Sequence, residues 1–253
     1  MSDLATFIGI DLAWSAKKLS GIAVLEGGRQ GARLIDACLK SSNEVRAHIE
    51  PHIRKSTVVA IDAPLIIKNK IGQRPCESLI SKHYSKRQAG AYPANLFLHP
   101  DSVGVRLAND LENKLAFNHA PVVSQRQNSR IMLEVYPHPA IVELFELRHI
   151  IKYKKGKVAL RRSGQQELQC RIGKLRSFSP PLNATPMLSE CLGIDANSLR
   201  GPALKDNEDK LDAILCAYIA YYYWFWGSER NRLFGDIEHG YIVVPFLPSN
   251  ASR

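Results

Sequence analysis

Several features that would settle the class of this protein at once are scarce or missing. Its 253 residues include only five cysteines, Cys38, Cys76, Cys170, Cys191 and Cys216. They are odd in number and scattered, and no two form a C-x-x-C pair, which argues against a disulfide framework or a zinc knuckle and suits a reducing compartment. The longest apolar run, Ala213 to Trp226, has fourteen residues, short of the ~20 that a spanning helix needs. We read it as a buried helix and expect a cytoplasmic protein with no membrane partner. The opening MSDLATFIGIDL lacks a basic region followed by a long apolar one, so no signal peptide is expected. G-x-x-x-x-G-K-[ST], G-x-S-x-G and H-E-x-x-H are all missing, which leaves out P-loop, serine-elbow and zincin chemistry. Acids are short too: 24 Asp and Glu face 34 Lys and Arg, a formal net charge of +10.

What is present is ordinary in bulk, with 45% hydrophobic and 23% charged residues, enough for one large domain with an insertion. The positive balance favours a polyanionic partner, nucleic acid above all. It is concentrated. From Arg148 to Arg176 there are ten Lys or Arg and one acid, Glu167, and clustered cations are what counterion release requires. A solvated basic face without a partner is the plainer explanation.

The patterning predicts an α/β fold. FIGIDL (Phe7 to Leu12) is a short apolar run carrying an acid, Gly21 to Leu25 a second strand, and Ala32 to Leu39 a third after a turn at Gly27 and Gly28. Ser42 or Asn43 caps a helix through about Ile53, and VVAI (Val58 to Ile61) is a buried fourth strand ending at Asp62. Helices are expected around Glu77 to Lys86, Ser102 to Phe117 and His138 to Leu147, and a fifth strand at Arg130 to Val135. A basic helical insertion spans approximately 148–202, a last helix runs from Asp206 to Trp226, and GYIVV (Gly240 to Val244) is a closing strand. Three hairpin-linked strands, a helix and a buried parallel strand make the order of an RNase H-like mixed sheet flanked by helices, one that actin-like kinases share.

The chemistry is expected at the strand ends. Asp11 follows FIGI, Asp62 follows VVAI, and Glu134 lies in MLEV near the end of its strand. Carboxyl ends of adjacent parallel strands open onto one crevice. Carboxylates held together there raise one another's pKa, and a hard cation, Mg²⁺ or Mn²⁺, relieves the conflict. On the last helix Asp209 and Asp212 stand three residues apart and share a face. Asp212 leads into the apolar run, where an unused charge would be costly. Asp206 and Glu208 are read as helix caps. Taken singly, Asp11 or Asp62 is satisfied by a turn role; the joint placement points to a site. His48 and His52 are read as surface residues, and His138 as structural, with contact to a metal or a phosphate as the alternative.

The series GIDLAW (Gly9 to Trp14), AIDAPL (Ala60 to Leu65), QRPCE with Arg74, LEVYPHP (Leu133 to Pro139), YKKG (Tyr153 to Gly156), EDKLDAILCAY (Glu208 to Tyr218) and GYIVVP resembles the domain-of-unknown-function family 429, regarded as predicted RNase H-like nucleases. The resemblance implies a metal-dependent nuclease. Asp11, Asp62 and Asp212 would be metal ligands, with Glu134 or Asp209 completing the catalytic set, and Arg74, Lys154 and Lys155 would hold phosphates. Tyr92 and Trp14 are candidates for base stacking, though core packing is the commoner role. Two other functions fit the same residues: a nucleic-acid or protein binding module that does not cleave, and an actin-like ATP-dependent phosphotransferase. The latter needs glycine-rich phosphate hairpins, of which GIDLAWSAKKLSG is a weak version.

Overall fold

A computed structural model describes residues 4–15, 18–122 and 124–248. The strands β1 (Ala5–Asp11), β2 (Leu19–Gly28) and β3 (Gly31–Ser41) form an antiparallel meander. The turn between β2 and β3 falls at residues 29–30, later than expected, because Gly28 and Gly31 still pair. The helix α1 (Val45–Ile49) is only five residues long and is followed by a 3₁₀ turn over Glu50–His52. Pro51 lacks the N–H that an α-helix would need there. The strand β4 (Thr57–Ile61) returns parallel to β1. Then come α2 (Pro75–Tyr84), α3 (Val103–Leu115) with Ser102 as its N-cap, β5 (Asn118–His119), β6 (Arg130–Glu134) and α4 (Pro137–Leu144). The basic segment holds α5 (Val158–Lys174), β7 (Leu182–Asn183) and α6 (Pro186–Leu192), ahead of the long α7 (Gly201–Trp226). A hairpin of β8 (Asn231–Asp236) and β9 (Gly240–Pro245) follows.

Seven strands form one mixed sheet in the order β5-β6-β4-β1-β2-β3-β7. Its centre is the expected arrangement, with β4 beside β1 and β6 beside β4, all parallel. The expected closing strand behaves differently. GYIVVP pairs with β8 in a separate two-stranded sheet and meets the main one through a bridge between Val243 and Val135 and through the Tyr241 hydroxyl, which donates to the Met132 carbonyl at 3.1 Å. Gly235 at φ +87° and Gly240 at φ +98° let that hairpin adopt a backbone that side chains disfavour.

Alternation along the central strands feeds two cores. Phe7, Val58, Ala60 and Leu133 face α7, while Ile8, Ile10, Val59, Ile61 and Met132 face α1 and α3. Burial on both faces is why these strands are apolar throughout. The apolar run of α7 is buried on all sides from Leu211 to Trp224. Its tyrosines are tolerated there because their hydroxyls donate to backbone carbonyls: Tyr218 to Pro180 at 2.9 Å, Tyr221 to Gly28 at 2.7 Å and Tyr222 to Phe246 at 2.8 Å. No described helix is long and apolar enough to cross a membrane.

Candidate functional site

Two glycines bring α7 onto the sheet. A Cβ on Gly9 would lie 2.1 Å from the Ala213 carbonyl oxygen and the Ala217 nitrogen, and one on Gly21 would lie 2.1 Å from the Asp209 oxygen. With hydrogen in those places, the helix backbone rests on β1 and β2 and its carboxylates reach the strand ends. The register does the rest. Ile10 pairs with Ile61, and the Asp62 N–H donates to the Ile10 carbonyl at 2.8 Å, so Asp11 and Asp62 emerge side by side.

Four carboxylates from three elements thus converge. Asp209 lies beside Asp11, close enough for the two carboxyl groups to share a proton. Asp212 is fully buried; its Oδ1 accepts from the Tyr153 hydroxyl at 2.7 Å. The Lys154 ammonium lies 2.7 Å from Asp212 Oδ2 and 3.6 Å from Asp62 Oδ2. On the far side Lys205 pairs with Asp209 at 2.6 Å and Glu208 at 2.7 Å, and Arg161 reaches Glu208 at 3.4 Å. Burial pushes Asp11 up to about 6, against the pull of Lys154 and reinforced by Asp209. It pushes Asp62 up to about 8, again against Lys154 and reinforced by Asp11 and Asp212. Asp209 and Asp212 are raised as well, burial being the main cause in each. For Lys154 burial works against the charge, but Asp212, Tyr153, Asp11 and Asp62 outweigh it and hold the ammonium protonated.

These residues suit a hard divalent cation. The donors are carboxylate oxygens, which Mg²⁺ and Mn²⁺ prefer. Among the described residues the buried Asp212 Oδ2 has no hydrogen-bond partner, only the neighbouring ammonium.

The other expected residues are placed differently. Glu134 pairs in register with Ile61, which faces α1 and α3, so its side chain leaves the sheet on the face opposite Asp11. There Arg74 grips it with two bonds, 2.9 and 2.6 Å, and the Leu65 N–H donates at 2.9 Å. Arg74 is itself 1% exposed, and its remaining donors go to Glu77 and the Ile66 carbonyl. The Arg74 of QRPCE therefore clamps two buried acids inside the protein. Glu134 and Arg74 nonetheless help line a recess of ≈ 70 Å³ beside Asp62, flanked by Trp14 and Tyr92. Trp14 and Tyr92 are 53% and 66% exposed, which sets them apart from core aromatics. Glu208 and Asp206 are not caps: α7 starts at Gly201, with Pro202 in its first turn, so both lie further along the helix. Glu208 is buried at the site's edge.

Tyr153, Lys205, Arg161 and Glu208 had no role in the sequence reading beyond motif membership or capping. Tyr153 begins YKKG, and a Tyr-Lys pair in a basic segment was the available signal. Part of that segment's charge is spent internally, since Lys154 and Arg161 neutralise α7 carboxylates. His48 is not a free surface residue. Its Nε2 lies 2.6 Å from Asp36 Oδ2 and 3.1 Å from Cys38 Sγ, a group whose ligand atoms lie within 4.8 Å of one another.

The family model described as a protein of unknown function, DUF429, matches residues 9–239. The chain belongs to this family. No curated protein and no solved structure matches it at a significant level. The DUF429 match takes in every residue of the carboxylate cluster, together with Arg74, Glu134 and the lysines of YKKG.

Proposed function

We propose that this protein is a divalent-metal-dependent nuclease that hydrolyses phosphodiester bonds in nucleic acid. The observation that carries the proposal is the meeting of Asp11, Asp62, Asp209 and Asp212 from the ends of β1 and β4 and from α7, with Lys154 against Asp62 and Asp212 and Lys205 against Asp209. Asp11, Asp62 and Asp212 would supply oxygens to Mg²⁺ or Mn²⁺. Such an ion, when bound, polarises the phosphodiester and neutralises its developing charge. Asp209, held by Lys205, orients or deprotonates the attacking water. Tyr153 fixes the Asp212 carboxylate by its hydroxyl, and Lys154 and Lys155 face the incoming phosphate. Trp14 and Tyr92 offer stacking surfaces at the rim. The net charge of +10 supports a polyanionic substrate, and five free cysteines support a cytoplasmic setting.

One observation favours a second reading, a binding module that does not cleave. Lys154 already satisfies Asp212 and Asp62 as an internal counter-ion. Calorimetric titration of Mn²⁺ into wild type and into Asp11→Asn, Asp212→Asn separates the two readings, followed by incubation of both with labelled single-stranded, duplex and branched nucleic acids. Saturable binding and cleavage confined to wild type are expected. Nucleic-acid binding with no Mn²⁺ uptake and no cleavage would favour the binding module, and turnover of ATP instead would favour a phosphotransferase.

A further inference from the structure

Beside the carboxylate cluster lies a second pocket of ≈ 220 Å³ whose walls include Lys152, Lys154, Lys155, His138, Ile150 and Ile151, with no acid among its lining residues. We propose that this pocket binds the terminal phosphomonoester of a nucleic-acid strand, so that the preferred substrate is a phosphorylated strand end; this rests on the nuclease reading above. Three observations lead there.

The first is charge. Lys154 is balanced by Asp212 and Asp62. Lys152 contacts only the neutral Gln88 amide, and Lys155 the Tyr92 hydroxyl and ring, the ring centroid 4.1 Å away. Among the described residues neither of these two has an acidic partner, so the pocket carries two uncompensated positive charges. An internal phosphodiester brings one negative charge; a terminal phosphomonoester brings about 1.5 to 2 at neutral pH, with oxygens free to accept from both ammonium groups.

The second is position. Lys154 belongs to both the pocket and the cluster, its Nζ 2.7 Å from Asp212. A phosphate held in the pocket therefore sits next to the carboxylates, and the neighbouring diester lies over them. The third is shape and an unused donor. Ile150 and the buried Ile151 give one side of the pocket an apolar wall. On another wall the buried His138 Nδ1 has no hydrogen-bond partner among the described residues. Burial, followed by Lys154, Lys155 and Lys152, pushes this imidazole down to about 3, so it is neutral and available for one hydrogen bond to a phosphate oxygen.

The test uses the full chain in excess chelator, so that binding is read without cleavage. Anisotropy measures a short single-stranded oligonucleotide with a 5′-phosphate, with a 3′-phosphate and with neither. One phosphorylated form is expected to bind about tenfold more tightly than the unphosphorylated one. The preference is expected to vanish in Lys152→Gln, Lys155→Gln, whose side chains are exposed and whose thermal melt checks that the fold is intact. It should persist in Asp11→Asn, Asp212→Asn. Equal affinity for all three oligonucleotides, or a preference that survives loss of both lysines, would overturn the proposal even if the protein cleaves internal bonds. A phosphate preference in a protein that never cleaves would keep the pocket and remove the nuclease reading.

Discussion

At the scale of single residues, the division of labour among the charged groups is sharp. Arg74 and Glu134 form a buried bidentate pair with Glu77 attached. Breaking such a pair strands a charge in low dielectric, at a cost of about 3–5 kcal/mol. Arg74→Met is therefore expected to lower the unfolding free energy by that order, read from a denaturant titration, and to leave Mn²⁺ affinity of the folded fraction unchanged. An Arg74 that gripped substrate would show the reverse, intact stability with weakened nucleic-acid binding. Lys154 behaves as a resident cation among carboxylates. Replacing it by Met removes the positive group beside Asp212 Oδ2, so the metal-free protein should melt earlier than wild type. Added Mn²⁺ should then raise the variant's melting temperature more than it raises the wild type's. Equal metal-induced shifts would mean that Lys154 and the ion do not answer the same charge.

At the scale of elements, the decisive contact is α7 on β1 and β2. Gly9 and Gly21 have no room for a methyl group, because the obstructing atoms are helix backbone rather than the ends of flexible side chains. Gly9→Ala is expected to destabilise the fold by about 1–3 kcal/mol or more through overpacking. It should also weaken Mn²⁺ binding, because a helix pushed outward carries Asp209 and Asp212 away from Asp11. Calorimetry on the folded variant checks this; full metal affinity would mean that the site tolerates displacement of the helix. The length of α7 also shows how an element boundary changes a residue's role. The helix starts at Gly201, with Pro202 in its first turn, well before the acids, which leaves Glu208 buried among cations instead of at a cap.

At the scale of the whole molecule, the site sets a pH dependence of stability. Asp62 titrates at about 8 in the folded protein and at 3.8 unperturbed, and Asp11 at about 6 against the same reference. Between those values the folded form holds protons that the unfolded chain has released. Stability from these groups is therefore fully present below the unperturbed value and is lost as pH rises towards about 8. Metal-free protein is expected to be less stable at about pH 8.5 than at about pH 5 by an amount on the order of a few kcal/mol. Asp62→Asn should flatten much of that slope. A wild-type profile that rises across this window, with Asp62→Asn unchanged, would contradict the raised values.

The central sheet order was legible in the chain because buried parallel strands must be apolar on both faces, as FIGI and VVAI are, and because each ends in an acid that cannot stay among them. Asp209 and Asp212 were legible for a related reason: their spacing puts them on one helical face, next to a run that cannot tolerate idle charge. What local pattern could not decide was which groups answer one another. Glu134 and Asp62 both stand at strand ends, and only the register, one residue apart, sends them to opposite faces. Nothing in YKKG or QRPCE says that one cation neutralises the cluster while the other is sealed beneath the neighbouring recess. GYIVVP shows its strand character in its own residues, but its pairing partner depends on the hairpin glycines and on what packs beneath. Sequence periodicity determined the elements and the residues bearing charge. Tertiary structure decided which charges meet, because electrostatic interaction depends on distance across the fold and separation along the chain does not encode it.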